Sequence, residues 1–250
     1  MKFTPFYPCC ALFLFSNVIM SCSKKQDEAI PLSGHYVNET FLETAKDSIP
    51  GTINTYCYDV DFVSADSVKV FYGFEEAMLA YAKSGKKYAI KKALQDKDLL
   101  FSIDENQRLV LEDSAWKQSK ENSVFAKNNA SAAGEWHFPE QLNATMIARS
   151  YEIFEKGKAT GKKVVFDANG KVTGLNDFTM YELCFSGDCV GEVHPISNNI
   201  TFTSPSNSGT TYAFQFNKEK KILNIYNIEA PIQDIKGERG IKDVAFELHY

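Results

Sequence analysis

The chain has 250 residues, 44% hydrophobic and 24% charged, with 27 Lys+Arg against 32 Asp+Glu for a net charge of −5. That length holds one large domain or two small ones, and the composition is ordinary for a folded soluble protein. No basic run exceeds two residues, which argues against nucleic acid, whose phosphates demand clustered cations. Lys86-Lys87 and Lys91-Lys92 read as solvated faces of a sheet.

Residues 1–21 contain Lys2 and an apolar run from Phe6 to Met20. A membrane-crossing helix needs about 20 predominantly apolar residues. Pro5, Pro8, Ser16 and Asn17 interrupt a run already short, so a removable signal fits better. The ending Val18-Ile19-Met20-Ser21-Cys22 resembles the lipobox of bacterial lipoproteins, cut by the signal peptidase before a cysteine that receives acyl chains. The resemblance implies a signal peptide over 1–21, lipidation of Cys22, and a lipid-anchored address at the outer membrane of a bacterial cell envelope, periplasmic or surface-exposed. A plain secretory signal is the alternative. Residues 22–31 then form the lipidated cysteine and a linker, and Ser23 to Glu28 is polar as a solvated tether should be. Loss of Lys2 with the leader leaves 26 cations against 32 carboxylates, a net charge of about −6.

Beyond the linker the pattern is mostly strand, enriched in Phe, Tyr, Val and Ile. Asn38 to Asp47 carries Phe41, Leu42 and Ala45 at helical spacing. Asp59-Val60-Asp61-Phe62-Val63 and Ser67 to Gly73 alternate as strands, and Glu75 to Lys83 reads as a strand ending in a turn at Ser84-Gly85. A hairpin spans Leu99–Ile103 and Arg108–Glu112, and Ser123-Val124-Phe125-Ala126 is a further strand. Asn128 to Gly134 reads as a linker, so that an N-terminal β unit covers 32–127 and a C-terminal one 135–250, with a linker at 128–134. Pro139 to Arg149 is the second helix, with Pro in its first turn. Asn169-Gly170 makes the strongest hairpin signal, between Lys162–Phe166 and Lys171–Leu175. Thr211–Phe216 and Ile222–Ile228 form another hairpin, and the chain closes on alternating Val244 to Tyr250.

The hairpins at 99–112 and 212–228 share a layout. Each is followed by a late strand and preceded by a short strand with an aromatic residue, Tyr88-Ala89-Ile90 and Tyr181-Glu182-Leu183. Gly34-His35-Tyr36-Val37-Asn38-Glu39 before a helix, and Gly170 to Leu175 leading to Tyr181, are similar to lipocalin-like (calycin-like) domains of bacterial lipoproteins. The resemblance implies antiparallel strands curled into one barrel or two, with an interior able to hold a small apolar ligand. It carries no catalytic residues.

Cys9 and Cys10 leave with the leader. Cys184 and Cys189 bracket a Gly-containing turn and are expected to form a local disulfide in an oxidising compartment, and Cys57 to be a buried free thiol. No metal site is expected, because the cysteine spacing lacks a C-x-x-C hook and none of His35, His137, His194 and His249 has a second His at ligand spacing. The chain shows no nucleophile elbow, Walker loop or dinucleotide fingerprint, so catalytic residues and cofactors are both expected to be none. Glu75-Glu76 and Asp104-Glu105 are the carboxylate pairs, although spacing in a β protein cannot test a glycosidase geometry. Trp116 and Trp136, with Tyr56 and Tyr58, are candidates for a sugar- or lipid-binding surface or for core packing. Asp47-Ser48-Ile49, Asp66-Ser67-Val68 and Asp113-Ser114-Ala115 resemble bacterial O-glycosylation acceptors in exposed segments.

The reading is a non-enzymatic envelope protein, anchored to the membrane through Cys22, that binds a small apolar or glycan ligand. A structural or protein-interaction role is the first alternative. A hydrolase with an unrecognised site is the second.

Overall fold

The computed structural model describes residues 32–128, 136–189, 192–230 and 239–250. The leader and the whole of 22–31, Cys22 included, lie outside the described residues, as do 129–134 of the predicted linker and residue 135. The first half runs β1 (Gly34–Asn38), α1 (Glu39–Ala45), a 3-10 turn (Pro50–Thr52), β2 (Asp59–Phe62), β3 (Ser67–Phe71), β4 (Glu76–Ser84), β5 (Lys87–Leu94), β6 (Lys97–Ile103), β7 (Leu109–Leu111) and β8 (Ser123–Asn128). Each strand pairs antiparallel with the next, and β1 returns to pair with β8, closing an eight-stranded barrel. Asn128, placed by sequence in the linker, is the last residue of β8 and pairs with His35.

Period-2 alternation decides which side chains enter the lumen. Val60, Phe62, Val68, Val70, Leu99, Phe101, Leu109, Leu111 and Phe125 are buried in one cluster with Tyr36, Tyr56 and Cys57 and fill the first barrel. The intervening residues on β1–β3 point outward. The helix α1 starts where Asn38 caps it, its Oδ1 accepting the Phe41 N–H at 2.9 Å while its Nδ2 donates to Thr55 Oγ1 and the Cys57 carbonyl.

The second half runs α2 (Phe138–Met146), β9 (Ser150–Glu155), β10 (Lys158–Phe166), β11 (Val172–Thr173), β12 (Met180–Leu183), β13 (Val193–His194), β14 (Asn198–Ser204), β15 (Asn207–Asn217), β16 (Ile222–Ile228) and β17 (Arg239–His249). The strands form a sheet in the order β11-β10-β9-β17-β16-β15-β14-β12, with β13 paired parallel to β17 off that path. The two ends meet through a bridge between Lys171 and Met180, leaving a second, nearly closed antiparallel barrel. The fold is thus mostly β with two helices, as the alternation predicts.

The internal echo has a topological basis. Hairpin β6–β7 and strand β8 are the last three strands of the first barrel, and β15–β16 and β17 are the last three of the second. The preceding aromatic strands do not correspond: Tyr88 lies on the fifth strand of its barrel, Tyr181 on the fourth. The missing partner is β14, which the sequence alternation does not mark, and neither does it mark β9. Ile200 and Phe202 alternate with Asn199, Thr201 and Thr203 there, and the threonines masked a strand.

The second core does not stop at its own strands. Tyr151, Phe166, Tyr181, Phe202, Phe214 and Leu248 continue through Phe138, Leu142 and Met146 of α2 into Phe41, Ala45, Val37, Tyr58 and Phe71 of the first half.

Candidate binding site at the barrel seam

The outer face of β1–β3 would meet water in an isolated barrel. Here it forms the seam. Register sets two cross-strand rows on this face: His35, Asp61, Lys69 and Met78, and beside it Val37, Asp59, Phe71 and Glu76. Residues 136–138 cover them on β1–β3, while Glu76 and Met78 on β4 stay exposed. The Trp136 ring stacks on Phe71 at 4.9 Å, has the Lys69 ammonium 4.9 Å from its centroid, and donates its Nε1–H to Glu76 at 2.9 Å. Lys69 and Trp136 together hold the Glu76 carboxyl below its ordinary range. Phe138 enters the shared core against Phe41, Tyr58 and Phe185, with ring centroids 4.8–5.2 Å apart.

Asp59 fixes the start of α2. Its Oδ2 accepts the backbone N–H groups of His137 at 2.8 Å and Phe138 at 3.3 Å, satisfying donors that a helix N-terminus otherwise leaves open. The Asp59 side chain is 0% exposed. Burial pushes its carboxyl up to about 7, against the pull of these N–H bonds.

A loop of the second barrel completes the seam. A disulfide joins Cys184 to Cys189, with Cα atoms 5.7 Å apart. Phe185 inside that loop packs on Tyr58 at 4.9 Å and accepts its hydroxyl hydrogen at 3.2 Å. Burial pushes the Tyr58 hydroxyl up to about 12. Gly73, at φ +106°, lies so close to Ser186 that any side chain there would collide with it.

Beside the seam lies a cavity of about 360 Å³. Trp136, Glu140, Leu142 and Asn143 line one wall, and Asn169, Gly170, Tyr181, Glu182, Leu183 and Phe185 the other. The Asn169-Gly170 turn shapes the rim. Gly170 sits at φ +80°, and a Cβ there would fall 2.9 Å from the Tyr181 carbonyl, so the tight approach of turn to strand needs glycine. Asn143 donates to the Ala168 carbonyl at 2.9 Å and Tyr181 to the Asp167 carbonyl at 2.6 Å, which fixes both walls.

Other sequence candidates are distributed differently. Trp136 is committed on several sides and offers no free stacking platform, and Tyr56 and Tyr58 are buried. Trp116 is 44% exposed, edge-on to Tyr56 at 5.8 Å, on the first barrel. Cys57 is a buried free thiol whose titration burial pushes well up. Of the three Asp-Ser motifs, the third departs from the exposed setting expected: Asp113 is fully buried and accepts from Ser123 N–H and Oγ–H at 2.8 and 2.7 Å. His249 stacks on Phe154 and approaches Glu247 at 2.7 Å. His35 and His137, 102 residues apart in sequence, meet with ring centroids 4.5 Å apart, a juxtaposition that no spacing rule could reveal. Among the described residues no group of three or more His, Cys, Asp or Glu is arranged to hold a metal ion. No described helix is long and apolar enough to cross a membrane.

The sequence matches no family model, no curated protein and no solved structure.

Proposed function

We propose that this is a lipid-anchored, non-enzymatic binding protein of the bacterial cell envelope, held at the outer membrane by acyl chains on Cys22, and that it takes a small hydroxyl-rich ligand of the glycan class in the groove beside α2. The observation that carries the reading is the contrast between the packed first lumen and the groove. Aromatic and aliphatic side chains occupy the space where an apolar ligand would sit in a hollow barrel. The groove instead is rimmed by Glu140, Asn169 and Glu182, hydrogen-bonding groups that suit a hydroxyl-rich ligand, over the buried rings of Tyr181 and Phe185.

Native mass spectrometry of residues 23–250, expressed in the periplasm, tests the ligand. Excess mass that dissociates on denaturation and fragments as a saccharide is expected, and a Glu140→Ala/Glu182→Ala variant is expected to lose it. A clean apo mass, with no retention of added oligosaccharides, counts against the groove. The anchor has its own test. Cys22→Ser is expected to move the protein from the membrane to the soluble fraction, and unchanged partitioning refutes it.

A second reading, docking of another envelope protein, is favoured by Phe74, 71% exposed between β3 and β4, and Met78, 59% exposed on β4. Proximity cross-linking from that hairpin in intact cells separates it from the first.

A further inference from the structure

Three polar atoms in the seam are buried without a hydrogen-bond partner: His35 Nδ1, Asp59 Oδ1 and His137 Nε2. Such atoms are rare in native structures and call for an explanation. Two of them face each other, with His35 Nδ1 3.7 Å from Asp59 Oδ1, and a shift of about 1 Å brings them to hydrogen-bonding distance. The other imidazole nitrogen, Nε2, lies 3.5 Å from Asp61 Oδ2.

We propose that the seam is a proton-binding site: Asp59 is held as the neutral acid, its Oδ1–H donated to Nδ1 of a neutral His35 whose Nε2–H faces Asp61. One proton thereby satisfies two of the three orphaned atoms. The arrangement with the proton on the imidazole would bury a carboxylate and a cation in the same dry seam, with a second imidazole at van der Waals distance.

The surroundings favour the neutral pair. Desolvation pulls His35 down, as do the nearby His137 and the Lys69 ammonium, and only Asp61 pulls it up. Desolvation pushes Asp59 up, with Asp61 adding to it, while the N–H bonds of His137, Phe138 and Val60 oppose. From the neighbouring elements the groups facing the pair are therefore Asp61 on β2, Lys69 on β3 and His137 ahead of α2. Beyond them lie the Cys57 thiol, which interacts with Asp59, and Glu76, which is neutralised by Lys69.

The consequence is an Asp59 contribution to stability that depends on pH with a defined sign. Asp59 in the folded protein binds its proton up to about 7, against the ordinary value of 3.8. Its contribution is fully present below that ordinary value and is lost as pH rises through about 7. Near pH 6 the unfolded chain carries the proton on His35 and the folded one on Asp59, so folding moves a proton from imidazole to carboxyl.

Asp59→Asn separates this from a plain helix cap. Its amide oxygen can still accept from His137 and Phe138, and its amide hydrogen can donate to Nδ1 of the neutral His35 with no proton to lose. In the processed chain the variant is expected to gain on the wild type as pH rises from 4 to 7, the ratio of their folding constants changing by up to about tenfold per pH unit, and to hold that gain above. A pH-independent difference, or a variant that loses ground as pH rises, overturns the proposal. The latter is the signature of an ionised cap. If the variant does not fold, carbon-detected NMR of the wild type decides. An Asp59 carboxyl titrating near neutrality beside a neutral His35 supports the site, and a midpoint in the ordinary carboxylate range refutes it.

Discussion

The two barrels share a strand plan and differ in how each completes its core. The first closes through backbone pairing all the way round, and its lumen cluster draws only on its own residues. The second leaves its ends joined by a single bridge, and its core runs out through α2 onto the outer face of β1–β3. The first barrel is therefore a platform, and the second is finished against it. The groove proposed for ligand lies where that finishing takes place, with Trp136 and Phe185 serving both the seam and the cavity wall.

Deleting a ring from each core is the strongest way to break the comparison. Phe138→Ala and Phe101→Ala each remove a fully buried ring and are expected to cost about 3–5 kcal/mol in denaturant unfolding. Their spread should differ. Loss of Phe101 removes the platform and with it both barrels, whereas loss of Phe138 loosens α2 and the second barrel and leaves β3–β7 in place. Opening the Cys184–Cys189 loop comes next. The double serine variant is expected to cost about 2 kcal/mol from the chain entropy of so short a loop. Because Phe185 sits inside that loop, reduction should also weaken any ligand held in the groove.

The smallest effect sharpens the picture of the rim. Trp136→Phe keeps the stack on Phe71 but gives up the N–H bond to Glu76 and much of the attraction to Lys69, for a small loss of stability. Glu76 is held low by those partners, so its contribution is present above its ordinary value of 4.5 and fades as pH falls below it. The variant should show a shallower acid limb, readable by thermal unfolding between pH 5 and 3.

Local chemistry made much of this fold legible. The Asn169-Gly170 turn, the apolar spacing that places α1 after Asn38 and the alternating arms of β6–β7 and β15–β16 all follow from short-range rules. The seam was not legible, for two physical reasons. Asp59 and Asp61 alternate with Val60 and Phe62 as the wet face of a strand should, and nothing nearby in sequence shows that a second barrel covers that face. The residues that meet there, His35, Asp59 and His137, come from segments 24 to 102 positions apart, and sequence spacing carries no information about such convergence. The same limit hid β14, where threonines break up Ile200 and Phe202 and the pairing partners on both sides come only with the barrel.

Hydrogen exchange of the processed wild-type chain in rising urea, resolved by mass spectrometry, tests the platform relation most directly. The account predicts that α2 and strands β9–β17 lose protection together at lower denaturant, while β3–β7 stay protected to a higher concentration. Loss of protection in the first barrel before the second, or in both at one midpoint, would contradict it.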